Sequence, residues 1–130
     1  MILDTSALVA ILFREPEAEL FTRLIHSAAN SRISAGTCLE LAVVLERQAG
    51  LEADRQREMF FRRAGIVVEA FTEDQLLIAR QAFHDFGKGR HPAGLNFGDC
   101  FAYALARYMG EPLLFKGDDF RKTDIVPALP

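Results

Sequence analysis

"MILDTSALVAIL", Met1 to Leu12, is the stretch on which the fold turns. Met1–Leu3 reads as a short buried strand, Asp4 follows it directly, and a helix runs on from about Thr5. A strand that passes at once into a helix opens an α/β chain, and the alternation continues outward from here.

"EPEAELFTRLIHSA" fits a second helix, with Pro16 in its first turn and Leu20, Phe21, Leu24 and Ile25 at helical spacing. "RISA" reads as a short strand, and "TCLELAVVLERQAG" as a helix closed by Gly50. "LEADRQREMFFRRA" continues as a helix, "GIVVEAF" is a β-branched strand, and Thr72 caps "EDQLLIARQAFHDF". "GKGRHPAGLNFG" is glycine-rich and follows neither period, and Asp99 opens the helix after it. "PLLF" reads as a strand, "KGDDF" as a turn and "DIVPALP" as a last edge strand. Strands separated by helices predict an α/β protein, a three-layer α/β/α sandwich around a mainly parallel central sheet. With 130 residues and no repeat or linker, residues 1–130 are expected to form one domain.

Half the residues are hydrophobic and a quarter charged, which fits a globular chain and not a disordered one. No apolar run approaches the roughly 18 residues of a membrane span, and the start lacks the basic lead-in of a signal peptide. A cytoplasmic protein is the expectation. The formal charge of −3 argues against coating nucleic acid by bulk positive charge, yet leaves room for a local basic rim. Cys38 and Cys100 lie far apart inside apolar helical patterns, so they read as small buried residues and not as metal ligands.

The carboxylates are more informative. Ligands of an open α/β sheet bind outside the carboxyl ends of its strands. Asp4 follows the first strand, Asp118 and Asp119 follow the last, and Asp99 ends a loop and starts a helix near that edge. Glu40 lies within a helix, flanked by Leu39 and Leu41 and followed by Val43 and Val44, so it is expected to face apolar surroundings where something positive must compensate it. Carboxylates gathered in one cleft repel and take up protons unless a cation is present. Oxygen ligands without histidine or cysteine suit Mg²⁺ or Mn²⁺ better than zinc, and such an ion can activate water against a phosphodiester. Taken singly, Asp4 and Asp99 read equally well as helix caps, Glu40 as a solvated side chain, and Asp118 and Asp119 as turn residues.

Four segments resemble the PIN-domain ribonucleases, and more narrowly the VapC-type toxins of type II toxin–antitoxin pairs. They are "MILDTSALVAIL", "SAGTCLELAVVLE", "HPAGLNFGDCFAYALA" and "PLLFKGDDFRKTDI", in the family's order from one end of the chain to the other. The resemblance implies a PIN-like fold and an endoribonuclease whose acidic residues hold Mg²⁺ or Mn²⁺. By position, Asp4, Glu40 and Asp99 match the family's acidic set. For the fourth place the family pattern leaves a residue between two aspartates, whereas this chain has "GDDF"; Asp118 is the first choice and Asp119 the reserve. Thr5 and Ser6 match the small polar positions beside the first aspartate. The resemblance further implies an RNA substrate, a VapB-like antitoxin and a homodimer. Phe13, Phe21 and Leu24 of the early helices are where an antitoxin contact is sought, although core packing is the favoured reading for most of them.

Lys88, Arg90 and His91 precede Asp99, and Lys116, Arg121 and Lys122 surround the last acidic turn. They are candidates for phosphate contacts or plain solvated charges, and His91 reads as structural. A receiver domain would need a second acid beside Asp4. A haloacid-type phosphatase would need an aspartate where Ser6 stands, and a nucleotide-binding module a glycine-rich phosphate loop. The rival that survives is a PIN-like non-catalytic module that binds RNA or protein.

Overall fold

The computed structural model describes residues 1–130. The elements run β1 (Ile2–Leu3), α1 (Thr5–Leu12), α2 (Ala18–Ser27), β2 (Ser31–Ser34), α3 (Ala35–Ala49), α4 (Leu51–Ala64), β3 (Ile66–Glu69), α5 (Glu73–Phe86), α6 (Phe97–Met109) and β4 (Leu113–Leu114), with a 3₁₀ turn at Phe120–Lys122. The strands form one parallel sheet in the order β3-β2-β1-β4. Ile2 lies opposite Arg32 on one side and Leu113 on the other, so β1 is central.

The pleat explains the layers. Successive strand residues point to opposite faces. Ile2 and Leu113 enter the core shared with α5 and α6, while Leu3 and Leu114 enter the core built from α1 to α4. All four are completely buried, each worth roughly 1.5–3 kcal/mol of hydrophobic stabilisation. Helices on both faces of a parallel sheet are the expected three-layer sandwich. The order of strands puts every strand's carboxyl end, and therefore Asp4 and the turn after β4, on one edge.

Helix α6 packs close to that edge through small buried residues, Gly98, Cys100, Ala102, Ala104 and Ala106, on a face that also buries Tyr103 and Leu105. Its other close neighbour is α3, where a Cβ at Gly36 would stand 2.3 Å from the Phe101 ring. Small residues on both sides bring α3 and α6 together, and with them Glu40 and Asp99.

Caps at Thr72 and Gly50 lie where the sequence predicts them. Three expectations need correction. Helix α6 begins at Phe97, with Asn96 as its cap, so Asp99 is the third helical residue and not the opener. Pro16 precedes α2, which starts at Ala18, instead of sitting in its first turn. The "DIVPALP" segment forms a single parallel bridge from Pro127 to Leu113 and no strand, because the prolines remove donors from any longer ladder.

Candidate active site

Asp4 caps α1 with one oxygen. Its Oδ2 accepts from the Ser6 amide at 3.0 Å and from the Ser6 hydroxyl at 2.6 Å. Ser6 Oγ in turn accepts the Lys116 amide at 3.0 Å, which ties the carboxyl end of β4 to the carboxylate following β1. The other oxygen, Oδ1, is buried and has no hydrogen-bond partner. With 4% of the residue exposed, burial raises the Asp4 carboxyl above its ordinary range, against the lowering effect of Ser6, and the Glu40 charge adds to the rise. A buried carboxylate oxygen with nothing bonded to it is costly.

Glu40 is half-buried on α3 and accepts the Thr5 hydroxyl on Oε1 at 2.5 Å. Its Oε2 lies against α6, where a Cβ at Gly98 would stand 1.7 Å away. The inward placement predicted for Glu40 is observed, but two of the four neighbours invoked for it face solvent: Leu39 is 67% and Val43 39% exposed, while Leu41 is fully buried and Val44 half-buried. Thr5 and the missing side chain of Gly98 draw the carboxylate in.

Asp99 completes a capping box. Its Oδ2 accepts the Asn96 amide at 3.0 Å, while Asn96 Oδ1 accepts the Asp99 amide at 2.9 Å. Burial, opposed by the Asn96 amide, pushes its carboxyl up to about 7, and the charges of Asp4, Glu40 and Asp119 push the same way. Three carboxylates from three elements therefore repel across one site.

The last acidic turn is different. Asp118 and Asp119 are both exposed, and neither carboxylate is hydrogen-bonded. Asp119 is the one whose charge reaches Asp99. No three of the acids are drawn into a closed metal-binding group. Thr5, Asn96 and Ser6 hold the inner three apart, each by one oxygen.

These residues fit a hard cation. The donors are all carboxylate oxygens, Asp4 Oδ1 is buried with no bond made, and Gly98 leaves open the space that Glu40 enters. The thiols do not compete: burial raises Cys38, and pushes Cys100 up to about 11.

The basic candidates separate. Lys116 is held by Glu15 at 2.6 Å and Glu17 at 2.9 Å, so it is neutralised and not free for phosphate. Arg121 donates to the Leu129 carbonyl and lies over the Phe115 ring. His91 accepts the Ala93 amide and packs edge-on against Phe86, a structural role as expected. Lys88, Arg90 and Lys122 carry no ion pair. Phe21 is core, which removes it from any antitoxin surface, whereas Phe13 and Leu24 pack at the rim of the same core. Sequence reasoning missed the contact between Gly98 and Glu40. The one available signal was a glycine immediately before Asp99 in a helix's first turn.

The family model of the PIN domain matches residues 1–126, nearly the whole of this chain. The chain belongs to that family and, within it, to the VapC ribonucleases. It is 47% identical over 125 residues to Ribonuclease VapC of Mycolicibacterium smegmatis, covering 96% of this chain and 97% of the relative. It is also 47% identical over 131 aligned positions to Ribonuclease VapC30 of Mycobacterium tuberculosis, with both chains fully covered. Among solved structures, VapC20 of Mycobacterium tuberculosis, described as a sarcin–ricin loop cleaving toxin, superposes with a TM-score of 0.77 at 22% identity, covering 99% of this chain and 98% of that one. A toxin–antitoxin complex from Klebsiella pneumoniae has a chain matching at TM-score 0.70 and 17% identity, covering 95% and 92%.

Proposed function

We propose that residues 1–130 form a single nuclease domain, a Mg²⁺- or Mn²⁺-dependent endoribonuclease that acts in the cytoplasm as the toxin of a toxin–antitoxin pair. The observation that carries this reading is the buried, unbonded Oδ1 of Asp4, on a carboxyl that interacts with the charges of Glu40 and Asp99. Asp4, Glu40 and Asp99 are the proposed ligands, with an acid of the last turn as the fourth. Asp118 was the sequence choice; the charge that Asp99 feels favours Asp119.

A divalent cation bound there supplies Lewis-acid stabilisation of the phosphodiester and water of lowered pKa. The chain's own residues do the rest. Ser6 orients Asp4, Thr5 orients Glu40, and Asn96 fixes Asp99 in the first turn of α6. Asp99, its carboxyl pushed up to about 7, takes up a proton more readily than an ordinary aspartate in the cation-free protein, and cation binding would displace that proton.

An RNA cleavage assay tests this, with Mg²⁺ or Mn²⁺ and with EDTA. Metal-dependent cleavage abolished by Asp4→Asn and by Asp99→Asn is the expected result. Unchanged cleavage in both variants overturns the reading, and no cleavage of any RNA by the wild type leaves the non-catalytic binding module. Calorimetry of Glu40→Gln should show weakened Mn²⁺ binding.

For the VapB-like antitoxin we propose the cleft of about 270 Å³ between α1, α3 and α4, lined by Leu12, Phe13, Leu45, Ala49 and Ala53. The support is its apolar lining beside the early helices. Phe13→Glu should weaken a toxin–antitoxin complex in a titration, and unaltered affinity removes the cleft from consideration. A second copy of the chain is the remaining proposed partner, tested by sedimentation equilibrium. Leu39 and Val43 of α3 and Val67 and Val68 of the edge strand offer it exposed apolar surface.

A further inference from the structure

The α5 and α6 side of the sheet lies across from the α1–α4 core and the cleft proposed for the antitoxin. A broad groove of about 610 Å³ opens there, lined by Phe71, Leu76, Phe83, Phe97 and Phe101, with Arg80 as its one charge. Along α5 the lining is a single stripe, since Leu76, Ala79, Arg80 and Phe83 stand at i, i+3, i+4 and i+7. At about 1.5 Å per residue, the stripe from Leu76 to Phe83 is ~10 Å long. Its apolar surface is open: Leu76 is 50%, Phe83 44% and Phe97 79% exposed. Phe101 meets Phe71 edge-on at 4.8 Å and Phe97 edge-on at 5.1 Å, a row of rings that holds the facing wall in shape.

Arg80 has no anion on the protein to answer it. It makes no ion pair, and the residues three and four positions away on α5 are Leu76, Leu77, Phe83 and His84. Arg80 and Phe83 also wall an adjoining cleft of about 320 Å³, completed by His84 and Arg90. Arg90 is without an ion pair too, and its Nη1 donates to His84 Nδ1 at 2.9 Å. An apolar groove thus meets a small cationic cleft at Arg80, with no carboxylate in either lining. This juxtaposition fits a ligand with an apolar body and one anionic end. The groove's volume lies within the about 300–1,000 Å³ of small-molecule sites. Its eight lining residues fall short of the about 20–30 a side that a stable protein interface uses. A second copy docked on the same face would bring Arg80 to a lining that holds no carboxylate.

We propose that the α5–α6 groove binds a medium-chain monocarboxylate, its alkyl chain along the α5 stripe and its carboxylate on Arg80, toward Arg90. Burial of the chain against Leu76 and the phenylalanine rings supplies the affinity. The guanidinium sets the direction in which the chain lies. Phe97 brings into the wall the first turn of α6, which also carries Asp99. Binding nevertheless needs neither the acids nor a cation, so it stands apart from the ribonuclease reading.

The test is calorimetry of the full chain in EDTA with sodium decanoate, sodium octanoate and octanol, with NMR to locate the ligand. Decanoate should bind saturably and show NOEs from its methylenes to the Leu76 methyls and the Phe97 ring. Octanoate should bind roughly 15-fold more weakly, about fourfold for each methylene lost. Arg80→Ala should weaken octanoate about tenfold and leave octanol unchanged, since only the carboxylate meets the guanidinium. Leu76→Ser, at an exposed position, should weaken all three ligands, and Arg63→Ala on α4 none of them. Absence of saturable decanoate binding overturns the proposal. So does a decanoate affinity that neither Arg80→Ala nor Leu76→Ser alters, which makes the uptake unspecific. A dimer that Leu76→Ser dissociates in sedimentation, with no decanoate bound, overturns it as well and assigns the face to a second copy.

Discussion

The starts of α1 and α6 and the turn after β4 all bring acid to one edge of the sheet, but only the first two are built. Asp4 and Asp99 each give one oxygen to their own helix, through Ser6 and Asn96, and Glu40 is clamped between Thr5 and Gly98. Asp118 and Asp119 have no such bonds and stand in solvent. An aspartate at the start of a helix can cap and still keep an oxygen unbonded, as Asp4 does with Oδ1. The cap engages one carboxylate oxygen, restrains the rotamer, and leaves the other oxygen to a second partner. Under the proposed function, inner acids held this way would set the position of a cation, and the outer turn would adjust the field around it.

The largest way to break the contrast is to fill the space that admits Glu40. Gly98→Ala places a Cβ 1.7 Å from Glu40 Oε2, with the backbone of α6 unable to retreat from a buried face. The carboxylate must move, and a misplacement of about 1 Å costs on the order of 100-fold in rate. We expect that loss in metal-dependent RNA cleavage, with Mn²⁺ affinity reduced in calorimetry and a circular dichroism spectrum like the wild type's. Full activity would show that Glu40 is not needed where it lies.

Next in size is the proton on Asp99. Its carboxyl is raised to about 7 in the folded protein, so the unfolded chain loses this proton first as the pH rises. The associated stability is complete below about 4, is lost as the pH climbs through about 7, and stays lost above it. In EDTA, the melting temperature of the wild type should therefore fall across that window relative to Asp99→Asn, which has nothing to titrate. Mn²⁺ should restore it most strongly on the alkaline side, where the ligand is already ionised. A pH-independent difference between the two proteins would contradict the assigned shift.

Ser6→Ala loosens the built half without moving an acid. It removes one of two bonds to Asp4 Oδ2 and leaves the Lys116 amide without its acceptor. Hydrogen bonds to a charged, buried group are worth about 1.5–3 kcal/mol, and groups that orient metal ligands typically change affinity 10–100-fold. A loss of about 2 kcal/mol in denaturant unfolding and roughly tenfold in Mn²⁺ affinity is expected. A stability loss with Mn²⁺ affinity intact would make Ser6 a cap partner only.

How much of this was legible in the sequence depends on which interactions are local. The strand–helix alternation, the Thr72 and Gly50 caps and the placement of Asp4 at a strand end depend on neighbours within a few residues, and all were readable. The start of α6 was not, because Asn96 and Asp99 are equally good cap residues and only the reciprocal bonds decide between them. Glu40 was placed inward on the evidence of Leu39, Leu41, Val43 and Val44, of which Leu41 is buried while Leu39 and Val43 are exposed. Its true determinants, Thr5 and Gly98, lie 35 and 58 residues away in the chain and meet only when α3 packs against α6. Lys116 was read as a free cation because nothing local shows that Glu15 and Glu17 reach it.

The smallest effect sharpens the comparison where it is least settled, in the outer turn. Asp119 adds to the rise of the Asp99 carboxyl, and Asp118 is absent from that influence. Removing the Asp119 charge should therefore lower the Asp99 pKa slightly, and removing the Asp118 charge should leave it in place. Carboxyl-detected NMR titration of the metal-free protein reads this directly, comparing Asp119→Asn and Asp118→Asn with the wild type. The shift is expected to be a fraction of a unit, since both side chains are exposed and screened by water. If only Asp119→Asn moves the titration, Asp119 and not Asp118 fills the fourth acidic place, and the "GDDF" turn serves the site through its second aspartate. If only Asp118→Asn moves it, the assignment reverses. In either case the outer acid acts through the field felt by three inner ones, whose positions do not depend on it.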